Sequence, residues 1–449
     1  MRILFVVPYV PSLIRVRPFN FIKHLSLSHE ITLVALGQGD PSEDESVEVM
    51  REFCERVHVL PQSKPRCMAQ CLGKLFTGTP LQAAYTESAD NRRMVEEIAA
   101  STGFDLLHVE HIRGAHLVTD IQGIPRVFDS VDCITRLLKK KLTRDNSLPG
   151  LVLGLEELLK MRSYEPRIAA RFDSVAITSQ KDKRVMEWLM NRYAKDWDHN
   201  PAGAQTRRLM RSQIEDNQDA RLQRLVDGSA ERVVVVRNGV DNEYFQPMDV
   251  PVKTDLITFS GKMSYFPNVS AALWFYHNVF PLIKQKRPQV VFRIVGSNPA
   301  NSILKLSGDP SVQVTGFVPD IRPHIADAGV VVCPLTVGVG IQNKVLEAMA
   351  MAKPVVATDI ACSGIPEAVD NTHLVRADSP REMADKVLAL MDHPSKGRAI
   401  GKRACELVKE QYSWRAATRF LEKVHAQAAY EFRIRNSVPR HSRTVGAQR

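Results

Sequence analysis

The sequence predicts an α/β protein built from two doubly wound parallel sheets, one after the other. Three observations lead there. Short continuous apolar runs, such as Arg2–Val7 and Val330–Cys333, read as strands buried on both faces. Stretches with helical periodicity separate them, which is the pattern of βαβ units. The alternation fills the first half, breaks at a polar stretch and restarts, in a chain of 449 residues that suits two or three domains.

In the first half, strands are expected at Arg2–Val7, Ile31–Leu36, Arg56–Leu60, Asp105–Glu110, Arg126–Ser130, Ser174–Thr178 and Val233–Arg237. Asn20–Ser28 carries helical periodicity between the first two. The loop before it holds Arg15 and Arg17 and no glycine. Arg136–Arg171 reads as mostly helical, with a basic cluster (Lys139, Lys140, Lys141, Arg144) leading into the apolar run LPGLVLGLEELL. The stretch 187–232 holds eight basic and eight acidic residues, so it reads as a partly helical, partly mobile insertion with no evident chemistry.

The second half restarts with strands expected at Leu256–Ser260, Val290–Val295, Val312–Thr315, Val330–Cys333, Pro354–Thr358 and His373–Val375, and helices at Val269–Ile283 and Arg381–Met391. Its organising stretch is Val330–Thr358. Gly338 and Gly340 let the backbone turn sharply after a strand, and a helix should start near Asn343, with Leu346, Met349 and Ala350 facing inward and Pro354 stopping it. Lys344 and Glu347 lie three apart and share a face. A helix N-terminus behind a glycine loop attracts anions, and a carboxylate one turn on can hold a sugar hydroxyl. An ordinary βαβ unit with a surface Lys–Glu pair fits the same residues.

Domain borders follow: 1–248, 249–411, a closing helix at 412–426, and a basic disordered tail at 427–449. Net charge of +10 and a pI near 9.2 favour anionic partners. No motif that reads DNA or RNA is present, so phosphate or an acidic lipid surface is preferred over nucleic acid. Seven cysteines, an odd number scattered singly, fit reduced thiols in the cytoplasm better than a disulfide framework, and no His/Cys pattern completes a metal site. Pro8 and Pro11 break the apolar N-terminus too early for a signal peptide, and no run of 18 apolar residues spans a membrane.

Four stretches stand in order at domain spacing: VVRNGVDNEYFQP (Val235–Pro247), TFSGKMSYFPN (Thr258–Asn268), VGIQNKVLEAMAMAKPVVAT (Val339–Thr358) and YSWRAATRFLEKV (Tyr412–Val424). Together they resemble the nucleotide-sugar glycosyltransferases of the GT-B fold, specifically glycosyltransferase family 4 (glycosyl transferases group 1). They are similar to that family's crossover, first donor-domain loop, donor-sugar signature and closing helix. GTPLQAAY (Gly78–Tyr85), HVEHIRGA (His108–Ala115) and VFDSVD (Val127–Asp132) look like the exosortase (PEP-CTERM) exopolysaccharide branch. The resemblance implies two Rossmann-like domains facing across a cleft, the first binding acceptor and the second binding donor, with the C-terminal helix crossing back to the first. It further implies sugar transfer with retention and without metal or other cofactor, from a nucleoside-diphosphate sugar to a lipid-linked or saccharide acceptor. One position departs: the family's signature has two glutamates with seven residues between them, and Val339 stands at the first while Glu347 is the second.

The resemblance assigns Glu347 to the nucleotide ribose, and Lys344, Lys262 and the amides of Gly261 and Gly340 to the diphosphate, where cations and N–H dipoles favour the departing charge. Gly296, with Phe317 and Val318 after Gly316, borders the expected base pocket; simple strand-to-loop turns fit as well. Glu110 and His111 end a strand, and either can accept the incoming hydroxyl's proton or orient the sugar. Asp129 and Asp132 are secondary to them, with helix capping as the plain alternative. Arg15 and Arg17 can grip an acceptor phosphate or stay solvated. The Lys139–Arg144 cluster can rest on anionic lipid at the inner face of the cell membrane.

Overall fold

The protein is described here by a computed structural model covering residues 1–12, 15–39, 42–75, 77–142, 148–194, 232–337 and 341–437. The chain divides into two compact units, Met1–Val236 with Thr418–Arg449, and Arg237–Ala417. The observed border falls at 236/237 rather than 248/249, because the NGVD segment pairs inside the second unit. There Val240 bridges Ser413 in parallel, and the Val240 N–H donates to the Tyr412 carbonyl at 2.7 Å. Gly239 is required at this crossing, since a Cβ would lie 2.4 Å from the Trp414 nitrogen.

Unit 1 holds a parallel sheet of β1 (Arg2–Val7), β2 (Glu30–Gly37), β3 (Arg56–Pro61), β4 (Leu106–Glu110), β5 (Arg126–Val131), β6 (Ser174–Ile177) and β7 (Val233–Val235). Their spatial order is β3-β2-β1-β4-β5-β6-β7. The direction of winding reverses between β1 and β4, so the loops leaving their carboxyl ends diverge there, which is where such sheets bind ligands. Ile3, Leu4, Phe5 and Val6 are fully buried, as helices on both faces require. The first helix is Val16–Leu25, earlier than the expected Asn20–Ser28. Pro18 falls in its first turn, where its missing N–H leaves no hydrogen bond unmade. Arg17 therefore belongs to a helix rather than to an open loop.

The expected 136–171 helical region is two helices, Ile134–Leu142 and Leu148–Ala169. Of the predicted insertion, only its first residues, in helix Gln180–Tyr193, and Arg232 at its end are described; 195–231 lies outside the described residues. The closing helix, Trp414–Ser437, begins in unit 2 and from Thr418 belongs to unit 1. It continues eleven residues past 426, so 427–437 is helix and not tail. Ala428 and Ala429 keep the apolar face going and are buried.

Unit 2 holds β8 (Lys253–Ser260), β9 (Val291–Val295), β10 (Val312–Val314), β11 (Ala328–Cys333), β12 (Val355–Ala357) and β13 (Val375–Arg376), in the order β10-β9-β8-β11-β12-β13, all parallel. Here the winding reverses between β8 and β11. Phe259, Phe275, Phe280 and Phe292 fill the core, with the Phe275 and Phe292 ring centroids 4.7 Å apart; each such side chain stabilises by about 1.5–3 kcal/mol. Helix Asn343–Ala350 buries Leu346, Met349 and Ala350 as expected. It ends in a Schellman turn: Lys353 N–H donates to Ala348 and Ala352 N–H to Met349, with Ala352 at φ +55°. Among the described residues no helix is long and apolar enough to cross a membrane.

Candidate functional site

In unit 2 three glycines sit side by side at the carboxyl ends of β8, β9 and β10. Gly261 N–H donates to the Val295 carbonyl at 3.0 Å, and Gly296 N–H to the Gly316 carbonyl at 3.2 Å. Gly296 has φ +149°, and a Cβ there would lie 1.8 Å from the Gly261 oxygen. A Cβ on Gly261 would lie 2.7 Å from Asn268 Nδ2 and 3.1 Å from Lys344 Cε. The backbone at this edge is thus as bare as it can be, and Lys344 lies directly over it. Asn268, itself buried, holds the loop by donating to the Lys262 carbonyl at 3.0 Å, while Lys262 points to solvent.

Lys344 and Glu347 come from helix Asn343–Ala350 beside this edge. Lys344 Nζ donates to Gln342 Oε1 at 3.4 Å, a long bond that leaves its charge available. Glu347 is partly buried, with no hydrogen-bond partner among the described residues. Burial pushes its carboxyl up to about 7, against a downward pull from Lys344. A half-dry carboxylate with idle lone pairs, next to a cation and a glycine-lined backbone, suits a ligand bearing hydroxyls and phosphate. Phe317 follows Gly316 and is 74% exposed, with Val318 partly covered behind it. Gly340 lies outside the described residues. The structure therefore brings Gly261, Gly296, Lys344 and Glu347 together.

In unit 1, of the pair predicted from sequence, Glu110 ends β4 and His111 opens the short helix His111–Ala115 that follows. Glu110 is buried. Its Oε1 accepts from the Tyr9 hydroxyl at 2.5 Å, and its Oε2 has no partner among the described residues. Burial first, then the neighbouring Asp129, push its carboxyl up to about 8. His111 takes φ +64° and its Nδ1 accepts from Arg113 N–H at 3.3 Å, which leaves Nε2–H as the donor. Burial holds His111 down to about 4, so it is neutral near pH 7. Val131, at the end of β5, also takes φ +64°, a costly conformation for a β-branched residue. Two strained strand ends side by side mark this as a place where geometry outweighs backbone comfort.

Arg17, expected as a phosphate ligand, is fully engaged as part of the fold. It is 4% exposed, donates to Asp129 through Nε (2.8 Å) and Nη2 (3.0 Å), and also donates to the Val236 carbonyl at 3.0 Å. Breaking one partner of such a buried pair costs about 3–5 kcal/mol. Arg15 instead lies over the Tyr9 ring, 4.0 Å from its centroid. Asp132 accepts from Thr178 Oγ1 at 3.1 Å, and burial raises its carboxyl.

Two residues escaped sequence reasoning. His108, buried within β4, stacks on Phe5 at 4.2 Å and meets His425 Nε2 through its Nδ1 at 3.0 Å. Its Nε2 is 3.9 Å from Asp129 Oδ2. Burial keeps both imidazoles neutral, with His108 pushed down to about 3. The available signal was a polar residue in an otherwise apolar strand, LLHVE. Among the described residues no group of three or more His, Cys, Asp or Glu could hold a metal ion.

Residues 254–393 match the family model "Glycosyl transferases group 1". No curated protein matches the chain. Solved structures share its fold at low identity. HepE (Alr3699) from Anabaena, in complex with UDP, aligns with TM-score 0.58 and 15% identity over 95% of this chain and 100% of that one. Sucrose-phosphate synthase from Thermosynechococcus elongatus aligns with TM-score 0.59 and 13% identity over 95% and 99%. A variant of TarM from S. aureus, in complex with fondaparinux, alpha-GlcNAc-glycerol and UDP, aligns with TM-score 0.58 and 11% identity over 95% and 100%. The two parallel-sheet, Rossmann-like units are thus those of the GT-B glycosyltransferase fold.

Proposed function

We propose that the chain is a glycosyltransferase that binds a nucleoside-diphosphate sugar through unit 2. The observation that carries this reading is the glycine edge with Lys344 laid over Gly261 and Glu347 one turn on, inside the segment that matches the family model. Glu347 accepts hydrogen bonds from the ribose hydroxyls. Lys344, Lys262 and backbone N–H groups at the glycine edge receive the diphosphate as negative charge builds on it. Those cations do the work that a metal does elsewhere, so transfer is metal-independent. UDP is the first nucleotide to test, since HepE and TarM were solved with it; GDP is the second.

The acceptor is a lipid-linked or saccharide alcohol, in exopolysaccharide or cell-envelope glycan synthesis at the cytoplasmic face of the membrane. Its hydroxyl attacks the anomeric carbon while the bond to the diphosphate oxygen breaks. The proton passes to the departing phosphate, and attack from the same face retains configuration. Glu110 and His111 orient the reacting groups: a protonated Glu110 donates through Oε2, and neutral His111 donates through Nε2. Transfer of a hexosyl group fits the Val339 departure as a change of sugar contacts rather than a loss of nucleotide binding.

The test is Glu347→Ala with calorimetry of UDP and GDP. Affinity for both unchanged from the parent protein would sink the site. A second reading, a silent paralogue that binds nucleotide-sugar without turnover, is favoured by Val339 at the first glutamate position. Free sugar and UDP released slowly from a UDP-sugar would exclude it.

A further inference from the structure

Helix Leu148–Ala169 is amphipathic the wrong way round for a helix that faces water. Two of its three acids, Glu157 and Glu165, point inward as caps: Glu157 accepts from the Leu81 and Gln82 amides at 2.7 and 3.2 Å, and Glu165 from the Ile134 and Thr135 amides at 2.7 and 3.0 Å. Its outer face is apolar instead. Val152, Leu155 and Leu159, spaced to share a face, are 51–65% exposed, and Leu153 beside them is 49% exposed. Lys160 ties this helix to the end of helix Lys64–Gly73 by donating to the Lys74 and Leu75 carbonyls at 2.9 and 2.7 Å. That helix adds Met68 and Leu72, 60% and 66% exposed. A cluster of aliphatic side chains this open marks an interaction surface.

The two helices that flank it carry charge of one sign. By sequence, helices Lys64–Gly73 and Ile134–Leu142 contain six basic residues between them (Lys64, Arg66, Arg136, Lys139, Lys140, Lys141) and no acid. Lys64, Arg66 and Lys139 are exposed. Of the acids close by, Glu156 on the apolar helix is paired with Lys160, Asp90 with Arg66 and Asp182 with Arg136, which leaves Lys64 and Lys139 as the exposed lysines of the rim. We infer that these three helices of unit 1 form a membrane-docking surface, whose aliphatic side chains enter an anionic lipid layer while the flanking lysines meet its headgroups. A second copy of the chain is the competing occupant. A two-fold contact would set this basic rim against itself, and like charges oppose that pairing; an anionic lipid surface complements both the rim and the aliphatic centre. The surface rests on the reading above only in serving a lipid-linked acceptor, and its test does not use activity.

The full chain is sedimented with phosphatidylcholine vesicles, with or without one-third phosphatidylglycerol, at low and high salt. Binding to the anionic vesicles alone, released by salt, is expected. K64E/K139E lowers partitioning at least about 25-fold, at about fivefold for each lysine removed. L153S/L155S lowers it at low salt as well. K402E/R403E, exposed on helix Pro394–Gln411, makes the same charge change elsewhere and stays within about threefold of the parent. Melting temperature and UDP affinity, read on the same samples, confirm that each variant is folded and separate this surface from the nucleotide site. Equal losses for the two charge-reversal pairs would overturn the proposal, as would no binding by the parent chain. Light scattering that shows the patch variants splitting a dimer, with vesicle binding unchanged, would assign the surface to a second copy.

Discussion

Glu347→Gln should do two opposite things at once, and the pH at which each is measured separates them. In the folded protein the carboxyl is pushed from 4.5 up to about 7. Between those values the folded chain keeps a proton that the unfolded chain has released. Stability from this group therefore falls as pH rises through that window and is lowest above 7. The gap corresponds to about 3 kcal/mol, and the partly open setting of the side chain reduces it to about 1–2 kcal/mol. Glutamine carries no such burden. At pH 8 the variant should melt about 2–8 °C higher than the parent, and at pH 4 the two should nearly coincide. Nucleotide binding should move the other way. Hydrogen bonds to a charged acceptor are worth about 1.5–3 kcal/mol, so UDP affinity at pH 8 falls about 10- to 150-fold. The parent's own affinity falls about tenfold from pH 8 to pH 6 as the free carboxylate takes up its proton, and the variant's does not. Differential scanning calorimetry and titration calorimetry across pH 4–8 read both effects. A variant that melts lower than the parent at pH 8, with UDP affinity intact, would refute the reasoning and make Glu347 a structural residue.

Three further outcomes follow from the geometry. Gly296→Ala forces a Cβ to within 1.8 Å of the Gly261 oxygen; urea unfolding should show a loss of about 2 kcal/mol or more, with nucleotide binding lost before the fold. Arg17→Ala strands Asp129 without its partner and should cost about 3–5 kcal/mol by the same measurement, whereas an acceptor-binding role alone would leave stability unchanged. Tyr9→Phe removes a hydrogen bond that holds the Glu110 carboxyl down. The pH–rate profile should then shift its Glu110-dependent limb upward from about 8, and an unshifted profile would take Glu110 out of the reaction.

Much of the fold was legible because parallel strands buried on both faces leave continuous apolar runs, and these stand out wherever they occur. The donor-side residues were legible for a different reason: Lys344 and Glu347 lie three apart on one helix, so local spacing already places them together. Gly261 and Gly296 were visible only as strand ends. That one must be bare because the other's carbonyl passes over it is a fact of sheet order, which no local pattern carries. Unit 1 shows the limit more sharply. Arg17 and Asp129 are 112 residues apart, and His108 and His425 are 317 apart. An arginine near a strand end looks the same in sequence whether it awaits a phosphate or is already bound to an aspartate. The closing helix was cut short because arginines and a glutamate after Ala426 read as solvent-loving, although one of them, Arg435, reaches Asp173 at 2.6 Å.

The bridge between Val240 and Ser413 makes unit 2 a loop of chain closed at its neck, which in sequence interrupts unit 1. Its two ends meet across a glycine that admits no side chain, so residues 237–417 form one excisable module with adjacent termini. Unit 1 has no such independence. A fragment stopped at Val236 would expose His108 where His425 should cover it, because the helix that completes this unit follows unit 2 along the chain. During synthesis, then, the module inserted in the middle can close before the domain that surrounds it. Dissection of this protein should begin by cutting out the second unit and joining Val236 to Thr418, not by truncating the chain.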